Sequence, residues 1–173
     1  MLNNTLIQLF DTRYRAIWLL LMGICLAMEI IGLYYQYQLN EPPCVVCIHV
    51  RILLASLILL LGSGYLIRQF LLARVVVLVA LLVNSAALIE RSLELLGVER
   101  GLIMGSCSFN LGLPAWLALD QWLPFIFKVH SSCGYTPELL FGITMAEGLL
   151  VLSSLAAVLF LLLIWIAIFN KPR

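Results

Sequence analysis

Four apolar runs, at about 16–35, 44–67, 75–96 and 145–169, constrain this chain more than any other feature it carries. Each is long enough to cross a hydrocarbon core of roughly 30 Å as a helix. Within lipid a helix satisfies its own backbone N–H and C=O groups, which open strands and loops cannot do. The composition agrees: 64% of residues are hydrophobic and 11% charged, against about 45–50% and about 25% in soluble domains. The expectation is an all-α integral membrane protein, a single membrane domain over 1–173 built as a four-transmembrane-helix bundle. The loops at 36–43 and 97–144 then share one side of the membrane. A net charge of +1, with no basic patch and no Gly-rich phosphate loop, gives no reason to expect a nucleic-acid partner.

The flanks of the runs set the orientation. Arg13, Arg15, Arg68, Arg74, Lys171 and Arg173 fall on one side of a four-span bundle, while Glu41, Glu99, Asp120 and Glu138 fall on the other with Arg100 and Lys128. By the positive-inside rule both termini are cytoplasmic and the two loops face the disulfide-permissive compartment. The first run has the apolar character of a signal peptide. No small-residue cleavage site follows it, however, and Tyr34, Tyr35 and Tyr37 read as an interfacial aromatic anchor. Within it, Glu29 is expected to face the bundle interior and Cys25 to be a small inert residue. The stretch Asn110–Val129 is apolar enough to suggest a fifth span. Pro114, Asp120 and Pro124 oppose that, and a fifth span would put Cys107 and Cys133 on opposite sides of the membrane. Trp116 and Trp122 among leucines fit a short interfacial helix in the second periplasmic loop.

Chemistry concentrates where the second run begins, at Pro42-Pro43-Cys44-Val45-Val46-Cys47-Ile48-His49-Val50-Arg51. Two cysteines with two residues between them can close a disulfide at a helix start, with Asn40 or Glu41 as cap and the prolines in the first turn. The positive end of the helix macrodipole stabilises negative charge on such a cysteine. Arg51, four residues after Cys47, stacks on the same face and adds a permanent charge. A CxxC alone is equally half a zinc site, a structural disulfide or two buried small residues. An arginine inside an apolar run tips the reading toward thiol redox chemistry, with snorkelling to the membrane surface as the competing explanation. Five cysteines suggest two pairs and one bystander. A Cys107–Cys133 bridge would tether the interfacial helix, contributing about 3 kcal/mol by loop entropy, and a purely structural staple remains open for it. No metal is expected, because Cys107 and Cys133 are 26 positions apart with no ligand doublet and His49 and His130 read as incidental.

These residues carry a resemblance. PCVVCIHVR at 43–51, the loop cysteines Cys107 and Cys133, LPAW at 113–116, LDQWLP at 119–124 and Gly142-Ile143-Thr144-Met145 together resemble the DsbB family of inner-membrane, disulfide-generating quinone reductases over nearly the whole chain. The resemblance implies a quinone-dependent protein-thiol oxidase of the bacterial inner membrane. A periplasmic DsbA-type thioredoxin-fold dithiol protein would attack the Cys107–Cys133 disulfide, with Cys107 in the mixed disulfide. Cys133 would then exchange with Cys44, and Cys47 beside Arg51 would donate electrons to ubiquinone or menaquinone. Some members carry a histidine at the outer end of the third span. Here the region reads Glu90-Arg91-Ser92-Leu93-Glu94, with Glu94 at the equivalent position and so expected, with Cys47 and Arg51, to contact the quinone. Vitamin K epoxide reductase-like proteins share a four-helix bundle, but their loop pair precedes the CxxC, the reverse of the order here. A non-catalytic membrane protein with a loop disulfide is the reading from another class.

Overall fold

The computed structural model describes residues 15–104, 111–114, 117–131, 138–140 and 142–169. Four long helices make the body: α1 Arg15–Gln38, α2 Val45–Ile67, α3 Leu71–Glu99 and, last in the chain, α6 Met145–Phe169. All four are long and apolar enough to cross a membrane. α3 packs on both α2 and α6, and α1 packs on α2, whereas α1 and α6 barely touch. The bundle is therefore open along one side, as a cleft between its first and last helices.

The ends of these helices follow from local chemistry. After α1 the left-handed Asn40 (φ 54°) turns the chain, and the Glu41 N–H returns to the Tyr35 carbonyl at 3.1 Å. The cap of α2 is neither Asn40 nor Glu41, and the prolines lie before the helix instead of in its first turn. Pro42 and Pro43 hold the residues ahead of them in extended conformations, so the helix starts after Cys44. That cysteine has extended backbone (φ −86°, ψ 174°), and its sulfur accepts the Cys47 N–H at 3.3 Å. α3 begins at Leu71 and ends at Glu99, beyond the expected 75–96 on both sides, which brings Arg74 into its first turn as a buried residue. α6 starts on a reciprocal cap: the Glu147 N–H donates to Thr144 Oγ1 (3.3 Å) and the Thr144 N–H to Glu147 Oε2 (3.4 Å), the S/T-x-x-E device. Arg100 at the end of α3 pairs with Glu147 at 2.8 Å, tying α3 to α6 at the same level.

The expected all-α, four-helix body is what the structure shows, and two departures of detail lie between α3 and α6. The single interfacial helix is two one-turn pieces, α4 Leu119–Trp122 and α5 Pro124–Phe127, parted at Leu123 (φ −132°, ψ 64°). Leu123 precedes a proline, whose ring disfavours helical backbone at the residue before it. Trp122 and Phe125 are exposed while Phe127 and Val129 are buried against the bundle end, and Trp116 lies outside the described residues. The second departure is a small antiparallel ribbon, β1 Glu138–Leu140 with β2 Ile143–Thr144, turned by Gly142 at φ 79° and leading directly into α6.

The core has two parts. Away from Cys44, Trp18, Leu54, Leu57, Leu61, Leu78, Leu81, Phe160 and Leu163 interlock. Around Cys44, the buried set is Val45, Val46, Ile48, Leu95, Leu111, Phe127, Val129 and Ala146. Gly64 is where α1 seats on α2: a methyl there would fall 2.0 Å from Trp18 Cζ3, whereas one at Gly62 would meet nothing within 4 Å. Gly64→Ala is therefore expected to destabilise by about 1–3 kcal/mol through overpacking. Gly62→Ala, which gains helix propensity in open space, should be neutral or mildly stabilising. Unfolding of the two variants in detergent checks the contrast.

Candidate functional site

The Cys44 and Cys47 sulfurs lie 2.7 Å apart at the start of α2. Cys44 caps the helix and Cys47 sits in its first turn, so one helical turn aims both side chains at a common point. Their surroundings differ. Cys44 is 2% exposed, packed under Leu111, Phe127 and Val129 of the α3–α6 connection. Cys47 is half-buried and opens into a cavity of about 190 Å³ between α1, α2 and α6. One sulfur thus faces the loop and the other faces the interior of the bundle.

The cavity is polar at the Cys47 end and apolar below. Arg51, one turn along α2, lines it together with Glu29 and Gly32 of α1. Glu41, Pro42, Pro43 and Ser131 form its mouth, and Leu54, Leu95, Met145 and Leu149 its apolar wall. A second cavity of about 150 Å³ shares Met28, Gly32, Leu54, Met145 and Leu149 with the first and continues into the α1–α6 cleft. A third, of about 90 Å³, carries the apolar path down to Cys25, Leu57 and Phe160.

Arg51 is 7% exposed and is held on three sides. Its Nη2 donates to the Gly32 carbonyl at 2.9 Å, and its Nη1 to the Ile126 carbonyl at 3.0 Å and to Gln36 Oε1. Three of the five N–H donors of a guanidinium are spent on neutral acceptors of α1 and α5, so the residue clamps three segments while its charge remains uncancelled. That is not a snorkelling geometry, in which the head would reach water. A Cβ at Gly32 would stand 3.7 Å from Arg51 Nε and Nη2, an ordinary contact, so the approach does not depend on the glycine.

The connection is pinned beside the cysteines. The N–H groups of His130 (3.0 Å) and Ser131 (3.3 Å) both donate to the Pro43 carbonyl, Ser131 Oγ donates to the Pro42 carbonyl at 2.7 Å, and Tyr37 donates its hydroxyl hydrogen to the Phe125 carbonyl. Ser131 precedes Cys133 by two residues in the sequence. Cys107 and Cys133 themselves lie outside the described residues.

Glu94 does not join this group. Its Oε2 takes Arg91 Nη1 at 2.6 Å on an open face of α3, and its neighbour Leu95, about 100° further round the helix, occupies the cavity wall. Glu94 is therefore not among the residues that line the cavity beside Cys47. His49 Nε2 meets the Leu111 carbonyl at 2.9 Å and His130 Nδ1 the Lys128 carbonyl at 2.8 Å, so both rings serve the connection. Among the described residues no three His, Cys, Asp or Glu side chains converge as metal ligands would. Sequence reasoning left Glu29 without a role and missed Gln36 and Ser131. The spacing of Glu29, Gly32 and Gln36, at i, i+3 and i+7, is a one-face helical pattern that would have aligned two of them with the CxxC.

Arg51→Ala removes three hydrogen bonds and leaves the Ile126 carbonyl and Gln36 Oε1 without this donor, whereas the Gly32 carbonyl keeps its place in the α1 ladder. At about 1–3 kcal/mol per stranded group, it should lower thermal stability measurably in addition to any loss of activity. Arg51→Lys keeps the charge but lacks the planar fork, so intermediate stability is expected. Thermal unfolding in detergent, with proteolysis of the 119–131 segment as a local probe, checks this.

The description "Disulfide bond formation protein DsbB" matches residues 14–163. Proteins named disulfide bond formation protein B are similar along most of their length. That of Shewanella denitrificans is 31% identical over 93% of this chain and 93% of its own. That of Shewanella sp. (strain ANA-3) is 30% identical over 91% and 92%, and that of Haemophilus influenzae (strain ATCC 51907) is 32% identical over 87% and 85%. With the four membrane-crossing helices, the paired sulfurs at the start of α2 and these matches, this chain belongs to the DsbB family of disulfide bond formation membrane proteins.

Proposed function

We propose that the protein is a quinone-dependent thiol oxidase that reoxidises a periplasmic DsbA-type dithiol protein and passes the electrons to ubiquinone or menaquinone. The observation that carries this reading is the split environment of the sulfur pair: Cys44 under the loop, Cys47 on a cavity that runs into a membrane-side cleft. A large aqueous protein cannot reach a sulfur that is 2% exposed. Electrons would therefore enter through the loop pair Cys107–Cys133, and the bonds from His130 and Ser131 to Pro42 and Pro43 favour exchange between Cys133 and Cys44.

The residues of the cavity suit a quinone. Arg51 has two N–H donors beyond its three bonds, the walls are apolar, and the cleft offers room for a lipid-soluble tail. When bound, the quinone would supply a two-electron sink beside Cys47. Thiolate is the reactive form in exchange, and the Arg51 charge, in a poorly screened place, favours negative charge on Cys47 and on an oxygen being reduced. Closing Cys44–Cys47 then returns the pair to its oxidised state. Both termini and the basic flanks face the cytoplasm in this reading, and the four relay cysteines face the periplasm.

Anaerobic mixing of the purified protein with a reduced DsbA-type partner and either quinone should yield quinol; no quinol with either one overturns the proposal. Cys107→Ser or Cys133→Ser should abolish partner oxidation while leaving Cys44–Cys47 able to react with quinone, and Cys25→Ala should leave turnover near the parent level. A membrane-impermeant thiol reagent on intact cells, after reduction, should label Cys107 and Cys133. Labelling only after the inner membrane is opened contradicts the orientation.

A further inference from the structure

We infer that Glu29 is the proton-carrying group of this cavity: it takes the proton of the Cys47 thiol and delivers it to a quinone oxygen as the electrons leave the cysteine pair. The assignment rests on the quinone reading above and adds a residue to it. Glu29 lies within a membrane-crossing helix, on the face of α1 that carries Gly32, and lines the same cavity as Cys47 and Arg51. Its Oε1 is buried, with no hydrogen-bond partner among the described residues. An ionisable side chain placed so in a membrane span is costly and points to function.

The arrangement around Arg51 makes proton exchange at Glu29 feasible. Among the described residues the ion pairs within 4 Å are Arg91–Glu94 and Arg100–Glu147, so Glu29 is not locked against the guanidinium. Arg51 gives its hydrogen bonds to two carbonyls and an amide instead. Its charge is near enough to act on Glu29 through space, without the contact that would fix the carboxyl in one state. The other groups facing this region are Cys25 one turn along α1, Cys47 on α2, and Tyr35 and Glu41 at the mouth, while α3 and α6 present Leu95, Met145 and Leu149. Glu29 is therefore the carboxyl at the deep, apolar end, with Glu41 confined to the rim. A cavity of about 190 Å³ lined by Cys47, Arg51 and Glu29 also has room for water along its length.

The step balances. The reduced pair loses two electrons and two protons as the Cys44–Cys47 bond forms, and the two quinone C=O groups become C–OH. The Cys47 S–H proton passes to the Glu29 carboxylate and from the carboxyl to one quinone oxygen, leaving Glu29 as it began. The Cys44 proton leaves to water at the Pro42–Pro43–Ser131 mouth, and water there supplies the proton of the second oxygen.

The test uses the full-length protein in lipid nanodiscs with a short-chain ubiquinone or menaquinone and reduced partner. Glu29→Gln should slow quinone reduction by about 10²-fold or more, the usual scale of a lost acid–base group. Partner-to-protein thiol exchange should stay at the parent rate, and Glu29→Asp should be intermediate. Independently of turnover, infrared difference spectra between the oxidised and reduced protein should contain a carboxyl C=O change that disappears in Glu29→Gln and moves in Glu29→Asp. A Glu29→Gln protein that reduces quinone at the parent rate, or a carboxyl band unmoved in Glu29→Asp, overturns the assignment while leaving the quinone reading in place. Failure of the unmodified protein to reduce either quinone overturns both.

Discussion

The buried guanidinium of Arg51 is the interaction on which the rest of this structure depends. An arginine held 7% exposed inside a membrane-crossing helix persists only where several acceptors surround it, and α1 and α5 supply them through Gly32, Gln36 and Ile126. Those bonds fix the height of α1 against α2 and hold the 119–127 segment over the bundle end. The roof over Cys44 and the cavity below Cys47 both follow from that placement. Because all three acceptors are neutral, the positive charge is retained in the cavity that Cys47 lines. Structural and chemical demands on the residue point the same way, and substitutions at Arg51 should change stability and activity together.

Much of the fold was legible in the sequence because bilayer thickness and backbone hydrogen bonding leave few alternatives to long apolar runs. The CxxC and Arg51 were legible as a constellation because helical spacing of three and four fixes which side chains share a face. What failed was finer. Asn40 and Glu41 looked like caps, but a proline pair forces extended backbone and the thiol of Cys44 does the capping itself. Sequence spacing also did not show that Glu94 pairs with Arg91 while Leu95, one residue on along α3, takes the cavity wall. The ribbon at 138–144 was hidden because so few residues carry no readable alternation. The T-x-x-E cap of α6, by contrast, was readable from Thr144 and Glu147 alone.

The two sulfurs are separated by environment, which under the proposed function would let one CxxC serve two media. Cys44 is sheltered by Leu111, Phe127 and Val129, so access to it is controlled by the connection and not by bulk solvent. Cys47 sees the cavity. In the proposed relay this asymmetry gives electron flow a direction without a moving domain, and it also limits side reactions with unrelated thiols. The prolines before Cys44 contribute as well. Lacking N–H groups, they present only carbonyls, and the connection answers with the N–H groups of His130 and Ser131 and the Ser131 hydroxyl.

The fit of Trp18 over Gly64 has a mechanical consequence when set beside the Arg51 bonds near the other end of α1. The helix is fastened to α2 at two heights, by packing at one and by hydrogen bonds at the other, and along α6 it makes almost no contact. At its upper end the Tyr37 hydroxyl also bonds the Phe125 carbonyl, so the helix is held to the roof as well as to α2 while its α6 edge stays free. Only dispersion contacts join that free edge to α6, whereas the fastened edge carries the Arg51 and Tyr37 hydrogen bonds. The cavity beside the sulfur pair thus continues toward the one flank of the bundle where two neighbouring helices leave a seam unsealed.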